Sequence, residues 1–351
     1  MNSPFYNHLY NFSVSYSGGG YKRLYEYSKE FDIRGGAHFI IHQNCQSLIN
    51  LFPNNLYHVV SQSLFERMFD DCKYLKPIIE YLGVPDLYYS YGIPVYFKVG
   101  LVNWFHLSNV LPLASKGISS GLLSQLKVME LGRRIRKNLA NASVISAESQ
   151  FSLKVLGSKY IQRHFLSVNG ADDELKLLAR NKVFEKSNIA VVVGTYKYKS
   201  LVDSYHVFNE LRETTNSDLK LVIIGPKKNI PNNLTTDENV IIRGLLSREE
   251  VIDCLQSARF YISTTQIENS YNAASEGIFF ASESYISNIG PHQELLTKIP
   301  HILISIPNIE PLLIKVKRDE VNGDNLLKWA QVVEQMLTKI ETCLVNETYT
   351  S

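Results

Sequence analysis

The feature that most constrains the fold of this chain is an alternation that occurs twice along its length. Short apolar runs typical of buried strands are separated by longer stretches with helical periodicity. Apolar strands joined through helices are typical of parallel sheets that are covered on both faces. The clearest strand is Asn188-Ile-Ala-Val-Val-Val-Gly194. The helix that follows it has an apolar face made of Leu201, Val202, Tyr205, Phe208 and Leu211.

The predicted strands form two groups, which indicates two domains. The first group is 12–15, 37–42, 57–60, 86–91, 101–106 and 143–147, and the second is 188–194, 219–225, 240–243, 260–263, 284–287 and 301–305. The polar segment 169–174 predicts a linker, and we expect domains of residues 1–167 and 168–351, each long enough for its own core. Residues 324–345 predict a terminal helix in the second domain, with Asp324 as its cap.

The charge of the chain is nearly balanced overall but not locally. A net charge of +2 is too small for a nucleic-acid-binding protein, in which a strongly basic domain is expected. Between residues 115 and 163, however, nine basic residues stand against Glu130 and Glu148. The basic residues are Lys116, Lys127, Arg133, Arg134, Arg136, Lys137, Lys154, Lys159 and Arg163. Such a stretch predicts either a solvated helix face or a surface that attracts acidic lipid head groups or a lipid-linked diphosphate.

The cysteines and the apolar runs bear on where the protein works. Cys45, Cys72, Cys254 and Cys343 are scattered and form no Cys-x-x-Cys pair, so neither a zinc site nor a disulfide framework is indicated, and we expect a cytoplasmic location. The chain starts without the features of a secretory signal, and no run reaches the roughly 18 apolar residues that a membrane span needs. We therefore expect any contact with the inner face of the cell membrane to be peripheral.

The first candidate binding motif is Ser17-Gly18-Gly19-Gly20, which precedes a helix predicted to begin near Tyr21. Glycine lets a backbone approach a ligand closely, and a helix N-terminus favours an anion, so Gly19 and Gly20 are candidate ligand-binding residues. A plain tight turn would produce the same triplet. A dinucleotide-dependent oxidoreductase is a second alternative, although Lys22 and Arg23 stand where its Gly-x-Gly-x-x-Gly motif needs small residues.

The second motif is Gly194-Thr195-Tyr196-Lys197-Tyr198-Lys199, which lies between a strand and a helix. Ligands of open α/β sheets bind at the carboxyl ends of strands, so these lysines could neutralise a diphosphate. A solvated loop is the alternative interpretation.

The third motif has two glutamates seven residues apart, in Gln266-Ile-Glu268-Asn269-Ser270-Tyr271-Asn-Ala-Ala-Ser-Glu276-Gly277. If a helix begins near Tyr271, Glu268 lies in the preceding loop and Glu276 about a turn and a half into the helix. The amides of residues 269–272 would then bind phosphate, while one carboxylate accepts from sugar hydroxyls and the other from ribose hydroxyls. Such a pair also arises by chance on ordinary helices.

Taken in chain order, these motifs resemble the GT-B glycosyltransferases of family four, which are common in bacterial surface-polysaccharide synthesis. The likeness covers nearly the whole chain. It includes the glycine-rich loop, a strand end with a histidine in Trp104-Phe-His106, the Gly194 to Lys199 segment, the two glutamates, and the turn Gly290-Pro-His-Gln-Glu294.

The resemblance implies two Rossmann-like domains that face a central cleft, with the acceptor bound by residues 1–167 and the donor by residues 168–351. Glu268 would contact the donor sugar, Glu276 the ribose, Lys199 the diphosphate, and His106 the reacting sugar or acceptor unless it is structural. The donor site would also include Gly194, Thr195, Arg243, Asn269, Ser270 and Tyr271. Two departures stand out: Thr195 replaces an Arg, whose charge Lys197 or Arg243 would have to supply, and Asn269-Ser270 replaces Gly-Phe.

The reaction implied by the resemblance is the transfer of a hexose from a UDP- or GDP-sugar to a glycan with retention of configuration. The acceptor is expected to be a glycan, lipid-linked, in O-antigen, capsule or lipopolysaccharide synthesis. No metal and no other cofactor is implied, and the sequence contains no Asp-x-Asp triplet. The alternative is a catalytically silent relative that acts as a binding or partner subunit.

Overall fold

The structure is a computed structural model, and it describes residues 5–61, 72–114, 122–170, 186–215, 217–310, 312–318 and 327–348. These residues form two compact units. The first comprises those within Met1–Ala114, Leu126–Gly170 and Leu327–Ser351, and the second those within Ser115–Gln125 and Ala171–Leu326. Lys116, Asp324 and most of the predicted linker 169–174 lie outside the described residues.

The first unit is built on a parallel sheet of seven described strands in the order β3-β2-β1-β4-β5-β6-β7. The strands are β1 His8–Phe12, β2 His38–His42, β3 Leu56–Val60, β4 Leu87–Tyr91, β5 Val102–Leu107, β6 Val144–Ala147 and β7 His164–Leu166. Its helices are α1 Gly18–Ile33, α2 Ser47–Leu51, α3 Cys72–Leu82, α4 Leu111–Ala114, α5 Leu122–Asn138, whose first residues fall in the second unit, and α6 Gln150–Leu156.

The second unit has a mixed sheet in the order β10-β9-β8-β11-β12-β14-β13. The strands are β8 Ser187–Val193, β9 Lys220–Ile224, β10 Val240–Gly244, β11 Ala258–Ser263, β12 Glu283–Ser287, β13 His301–Ile304 and β14 Leu313–Lys317. The helices are α7 Leu201–Thr214, α8 Asn232–Thr235, α9 Arg248–Ser257, α10 Asn272–Phe280 and α11 Gly290–Leu295, and the terminal helix α12 is Trp329–Thr348.

The prediction of two doubly wound α/β sheets with a terminal helix is confirmed, although β7 and β14 were not predicted and two further details differ. β14 pairs antiparallel with β12 and β13, so the second sheet is not wholly parallel. The strand predicted at 12–15 lies instead at His8–Phe12. Polar residues interrupt this strand, so it does not stand out as an apolar run. Asn11 is nevertheless buried, because its side-chain amide donates to the hydroxyls of Tyr74 and Tyr88 at 2.9 and 2.8 Å.

The terminal helix belongs to the core of the first unit, not to the second domain in which the sequence placed it. Its apolar face packs in one cluster with Tyr10, Tyr27 and Trp104. That face consists of Trp329, Val332, Val333, Met336, Leu337 and Ile340. The chain leaves the first unit beside this helix, and a side chain at Gly170 would lie 2.6 Å from the Trp329 ring.

Helix α7 buries Leu201, Phe208 and Leu211 as predicted, whereas Val202 of the predicted face is 47% exposed. None of the helices within the described residues combines the length and the apolar character needed to cross a membrane.

Candidate functional site

In each sheet the chain reverses the direction in which it adds strands beside the first strand of that sheet. In the first unit this switch point lies between β1 and β4, and in the second between β8 and β11. The loops that follow the two central strands diverge there and leave a crevice outside the carboxyl ends of the strands. The three candidate binding motifs of the sequence follow β1, β8 and β11, so they lie at these switch points, whereas His106 lies in β5 and Gly290 follows β12.

In the second unit, the loops after β8 and β11 are joined by hydrogen bonds. The amide of Gln266 donates to the Tyr198 carbonyl at 2.8 Å, and the Thr264 hydroxyl donates to the Ser200 carbonyl at 2.8 Å. Tyr196 and Tyr198 stack with their ring centroids 5.7 Å apart. These bonds fix the short 3-10 turn Lys197–Lys199 against the loop that carries Glu268.

The turn brings Lys199 and Glu268 together as an ion pair, with Nζ donating to Oε1. The lysine side chain crosses the bare Cα of Gly194, where a Cβ would lie 3.2 Å from its Cε. Gly194 also has a φ of 96°, a conformation that other residues rarely adopt. The two side chains are 13% and 20% exposed, so the pair is accessible to a ligand.

Glu276 lies on α10, which begins at Asn272 as predicted. Its helix can approach β11 because residue 277 is glycine: a Cβ there would lie 2.1 Å from the Tyr261 ring. Burial first, and then the charges of Glu268 and Glu276, raise the pKa of the Tyr261 hydroxyl well above its usual value. The two carboxylates therefore act on one buried phenol. Asn269 and Ser270 are half-buried in the loop before the helix.

The first turn of α10 offers backbone donors to a ligand. Tyr271 occupies the N-cap position, and its side chain makes no capping hydrogen bond to the helix. The N–H groups at the start of a helix have no acceptor within the helix, and the helix dipole makes this end favourable for an anion.

Thr195 and Arg243, which the resemblance assigned to the donor site, have other surroundings. Thr195 is buried, and its hydroxyl donates to the Pro226 carbonyl at 3.0 Å, which joins the loops after β8 and β9. Arg243 lies exposed at the end of the edge strand β10. The pKa of Glu250 is lowered by hydrogen bonds with Ser247 and, more weakly, by Arg243, which lies near the start of α9. No contact joins Arg243 to Lys199 or Glu268 in the described part of the chain.

Sequence reasoning missed two groups beside this site. Arg248, the first residue of α9, donates through Nη2 to Glu276 Oε1 at 2.9 Å. His292 is buried, and its Nδ1 donates to the Ser287 carbonyl at 2.7 Å. Burial, reinforced by the Lys199 charge, lowers the pKa of His292 to about 4 and keeps it neutral. Arg248 gave no sequence signal because nothing in its spacing connects it with Glu276.

In the first unit, the glycine triplet begins α1 three residues earlier than predicted, at Gly18. Among the described residues, a Cβ at Gly19 would have no neighbour within 4 Å, whereas one at Gly20 would lie 3.2 Å from Tyr91 Cε1. Gly20 therefore allows α1 to pack against the end of β4, and Gly19 leaves open space above the helix start.

His106 lies at the end of β5 and is fully buried. Its ring stacks on Tyr91 at 5.0 Å between centroids. Its Nε2 atom lies 3.6 Å from Glu148 Oε1, which accepts a hydrogen bond from the Tyr91 hydroxyl at 3.1 Å. A direct contact between His106 and a sugar would require Tyr91 or Glu148 to move, so its assigned role stays a prediction.

Ser146 determines which ring nitrogen of His106 carries the proton. The Ser146 hydroxyl oxygen accepts from Trp104 Nε1 at 2.6 Å and lies 2.8 Å from His106 Nδ1. If the serine donates its own proton to Nδ1, Nε2 carries the ring proton and points it towards Glu148 Oε1, which at 3.6 Å lies beyond hydrogen-bond distance. Burial and the nearby Arg23 charge, partly opposed by Glu148, lower the pKa of His106 to about 4. The ring is therefore neutral at pH 7.

Glu148 and Arg23 form the charged part of this network. Arg23 is fully buried, with Nε 3.8 Å from Glu148 Oε1, and its guanidinium donates to the Ser167 carbonyl at 2.8 Å and to Asn169 Oδ1 at 3.1 Å. Neither residue was singled out from the sequence as part of a site. Arg23 stands in a helix that otherwise has ordinary polarity, so only its burial reveals its role.

Comparison with solved structures supports the fold. The chain is similar to HepE of Anabaena, solved with UDP and glucose, with a TM-score of 0.56 and 14% identity over 82% of each chain. It is similar to WaaG, a glycosyltransferase involved in lipopolysaccharide biosynthesis, with a TM-score of 0.53 and 13% identity over 77% of this chain and 78% of WaaG. It is also similar to AviGT4, a glycosyltransferase involved in avilamycin A biosynthesis, with a TM-score of 0.53 and 11% identity over 94% of this chain and 91% of AviGT4.

No protein-family model and no curated protein matches the sequence. At these identities the likeness is one of fold, and the chain has the GT-B fold of these glycosyltransferases.

Proposed function

We propose that this protein is a glycosyltransferase that moves a sugar from a nucleoside diphosphate sugar to a glycan. The observation that carries the proposal is the accessible pair of Lys199 and Glu268 at the switch point of the second sheet, with Glu276 on the adjacent helix. A nucleoside diphosphate sugar presents two phosphates between two sets of hydroxyls. The site offers a cation and a helix N-terminus for the phosphates, and carboxylates for the hydroxyls.

Binding of the donor exchanges partners within this site. The diphosphate takes over the Lys199 ammonium, and the Glu268 carboxylate that it releases accepts hydrogen bonds from the sugar hydroxyls. The exchange costs little because both side chains are already partly hydrated, and each finds a new partner of suitable charge or polarity. Glu276 accepts from the ribose hydroxyls.

We infer that the transfer retains configuration and proceeds on one face of the sugar. The acceptor oxygen forms its bond to the anomeric carbon as the bond to the diphosphate breaks, and the leaving phosphate oxygen receives the acceptor proton. Lys199 and the start of α10 stabilise the negative charge that develops on the diphosphate. In this proposal the chain's own residues position the reactants and stabilise charge, and no metal takes part.

The role we assign to His106 is that of a positioning residue in the first unit. Its neutral ring lies 3.6 Å from the Glu148 carboxylate, and Arg23 supplies the cation that pairs with that carboxylate. In this proposal the buried network holds the carboxyl ends of β4 and β5 rigid, and the acceptor binds beside them. This role accounts for a histidine that is fully buried.

We propose a lipid-linked acceptor, of the kind used in O-antigen, capsule or lipopolysaccharide synthesis, and a peripheral contact with an anionic membrane. Support comes from α5, whose outer face presents the exposed Leu126 and Met129 followed at helical spacing by Arg133 and Arg136. Apolar and basic residues together on one helix face suit an interface with acidic lipids. Glu130 moderates this charge by pairing with Arg133 and Arg134 at 2.8 and 2.7 Å.

The first test is a thermal-shift screen with UDP-, GDP- and dTDP-sugars, because a ligand that binds only the folded state raises the unfolding temperature. We expect one nucleotide class to stabilise the protein and slow hydrolysis of that sugar to be detectable. No stabilisation by any of them would contradict the proposal. Stabilisation without transfer or hydrolysis would favour the silent binding subunit, for which the buried Thr195 in place of a basic residue is the specific argument.

The membrane contact is tested separately by sedimentation with vesicles. We expect binding to vesicles that contain anionic lipid, weaker binding after Leu126→Ser and Met129→Ser together, and little binding to neutral vesicles. Binding that is independent of anionic lipid, or absent, would leave α5 as an ordinary solvated helix.

A further inference from the structure

The contact between Arg248 and Glu276 is not explained by the fold. Arg248 Nη2 donates to Glu276 Oε1 at 2.9 Å, and the two side chains are 39% and 17% exposed. Ion pairs with this much exposure contribute little to folding stability. The start of α9 does not depend on Arg248 either, because Ser247 and Glu250 cap it reciprocally, with Ser247 N donating to Glu250 Oε2 at 2.7 Å.

The contact does fix the direction of a carboxylate. Glu276 has three side-chain torsions, and its helix position alone leaves several rotamers open to it. A guanidinium that holds Oε1 selects one of these rotamers. The other cation of the site, Lys199, holds Glu268 in the same way from the loop after β8. Both glutamates are thus oriented by a cation from a different segment of the second unit.

We propose that Arg248 is a positioning residue that sets the recognition of the nucleotide ribose by Glu276. The inference rests on the proposed function, in which Glu276 accepts from the ribose hydroxyls. A carboxylate must meet two neighbouring hydroxyls in a fixed geometry to accept from both, and an unrestrained side chain loses this advantage. Arg248 therefore determines how well the protein distinguishes a ribonucleotide from its 2′-deoxy analogue.

The test compares the binding of UDP and 2′-deoxy-UDP by titration calorimetry. We expect the unaltered protein to prefer UDP by about tenfold or more, the scale of one hydrogen bond to a charged group. Arg248→Gln is expected to weaken UDP binding by roughly tenfold and to leave 2′-deoxy-UDP binding within about twofold, so that the preference collapses. Arg248→Lys should restore part of the preference. The unfolding temperature of the ligand-free protein should barely change, since the pair is exposed.

Two variants on the same helix turn serve as controls. Ser247→Ala removes the cap of α9 but leaves the guanidinium, and Glu249→Gln changes an exposed charge next to it. Both should keep the preference for UDP. Glu276→Gln should lose the preference, and adding Arg248→Gln to it should cause no further loss, because the arginine acts through that carboxylate.

Several results would overturn the inference. If Arg248→Gln weakened the binding of UDP and 2′-deoxy-UDP equally, the arginine would act on the phosphates or only through the long-range effect of its charge. Unchanged binding of both ligands would mean that the arginine contributes to neither. Binding of dTDP as tight as that of UDP would remove ribose recognition as a property of the site. If the unaltered protein bound no nucleotide at all, the proposed function itself would fail, and this inference with it.

Discussion

The two switch points hold their charges in opposite ways. In the first unit, the Arg23 and Glu148 side chains are 0% and 6% exposed, and His106 and Tyr91 are buried around them. In the second unit, the paired side chains of Lys199 and Glu268 are 13% and 20% exposed, and those of Arg248 and Glu276 are 39% and 17% exposed. A buried charge cannot give up its partner without a large loss, whereas a hydrated one can exchange its partner for a ligand. The first arrangement is suited to rigid support and the second to binding.

The largest expected effect comes from breaking the buried network. Arg23→Met leaves the Glu148 carboxylate buried without its cation, and we expect the first unit to lose about 3–5 kcal/mol of unfolding free energy. Tryptophan fluorescence during urea unfolding measures this, because both tryptophans, Trp104 and Trp329, lie in the first unit. The matched control is Arg34→Met, which removes an exposed pair with Glu334 and should cost under about 1 kcal/mol. Similar losses in both variants would contradict the comparison.

The next largest effect is expected at the ion pair of Lys199 and Glu268. Lys199→Met should lower the turnover of the donor by about 10²- to 10³-fold, the scale of one lost contact to a charge that develops in the transition state. The fluorescence transition of the first unit should not move. Lys298→Met, an exposed lysine of the second unit outside the motifs of the candidate site, is the control and should stay within about threefold of the unaltered rate. Turnover of Lys199→Met near that of the control would remove Lys199 from the site.

We expect low pH to destabilise the first unit more than the second. Burial lowers the pKa of His8, His38 and His106 in the first unit to about 4, and that of His292 in the second. Their unfolded-state pKa is about 6.5, so between these values the unfolded chain binds protons that the folded chain does not. Stability is therefore full above about pH 6.5 and is lost as the pH falls towards 4, by on the order of a few kcal/mol for the first unit.

The measurement is the urea midpoint of tryptophan fluorescence between about pH 7 and 5, set beside a far-UV signal that includes the second unit. His38→Gln should reduce the slope, because His38 Nδ1 lies 3.1 Å from His58 Nε2 and the pair cannot take up a second proton without repulsion. A midpoint of the first unit that stays constant over this range would contradict the prediction.

The smallest effect compares two glycines of the candidate sites. Gly277→Ala places a methyl group 2.1 Å from the Tyr261 ring, so we expect a loss of about 1–3 kcal/mol in the second unit, followed by far-UV circular dichroism. Gly19→Ala meets no atom of the described residues within 4 Å and should change stability by less than about 0.5 kcal/mol. If the alanine at position 19 cost more stability than the alanine at position 277, the conclusion that Gly277 on α10 is the closely packed glycine would be wrong.

The candidate site was partly predictable for a physical reason. Lys199, Glu268 and Glu276 follow strands in a pattern that the chain order alone places at the carboxyl edge of a sheet, and the start of α10 fell within one residue of its prediction. The sequence could not show that Arg243 lies away from these three residues, because its distance from the crevice depends on β10 being the edge strand. Thr195 was identified as a departure, but its bond to Pro226 belongs to the tertiary fold.

By itself, the sequence determined the two α/β sheets, since the periodicity of apolar residues decides whether a segment is buried as a strand or as a helix. It also determined which loops carry charge. Only the tertiary structure decided that the terminal helix completes the first core, that His106 is buried behind Glu148, and that Arg248 meets Glu276 across two helices. These contacts join residues far apart in the chain, and the burial and partners of a side chain depend on packing that no local pattern encodes.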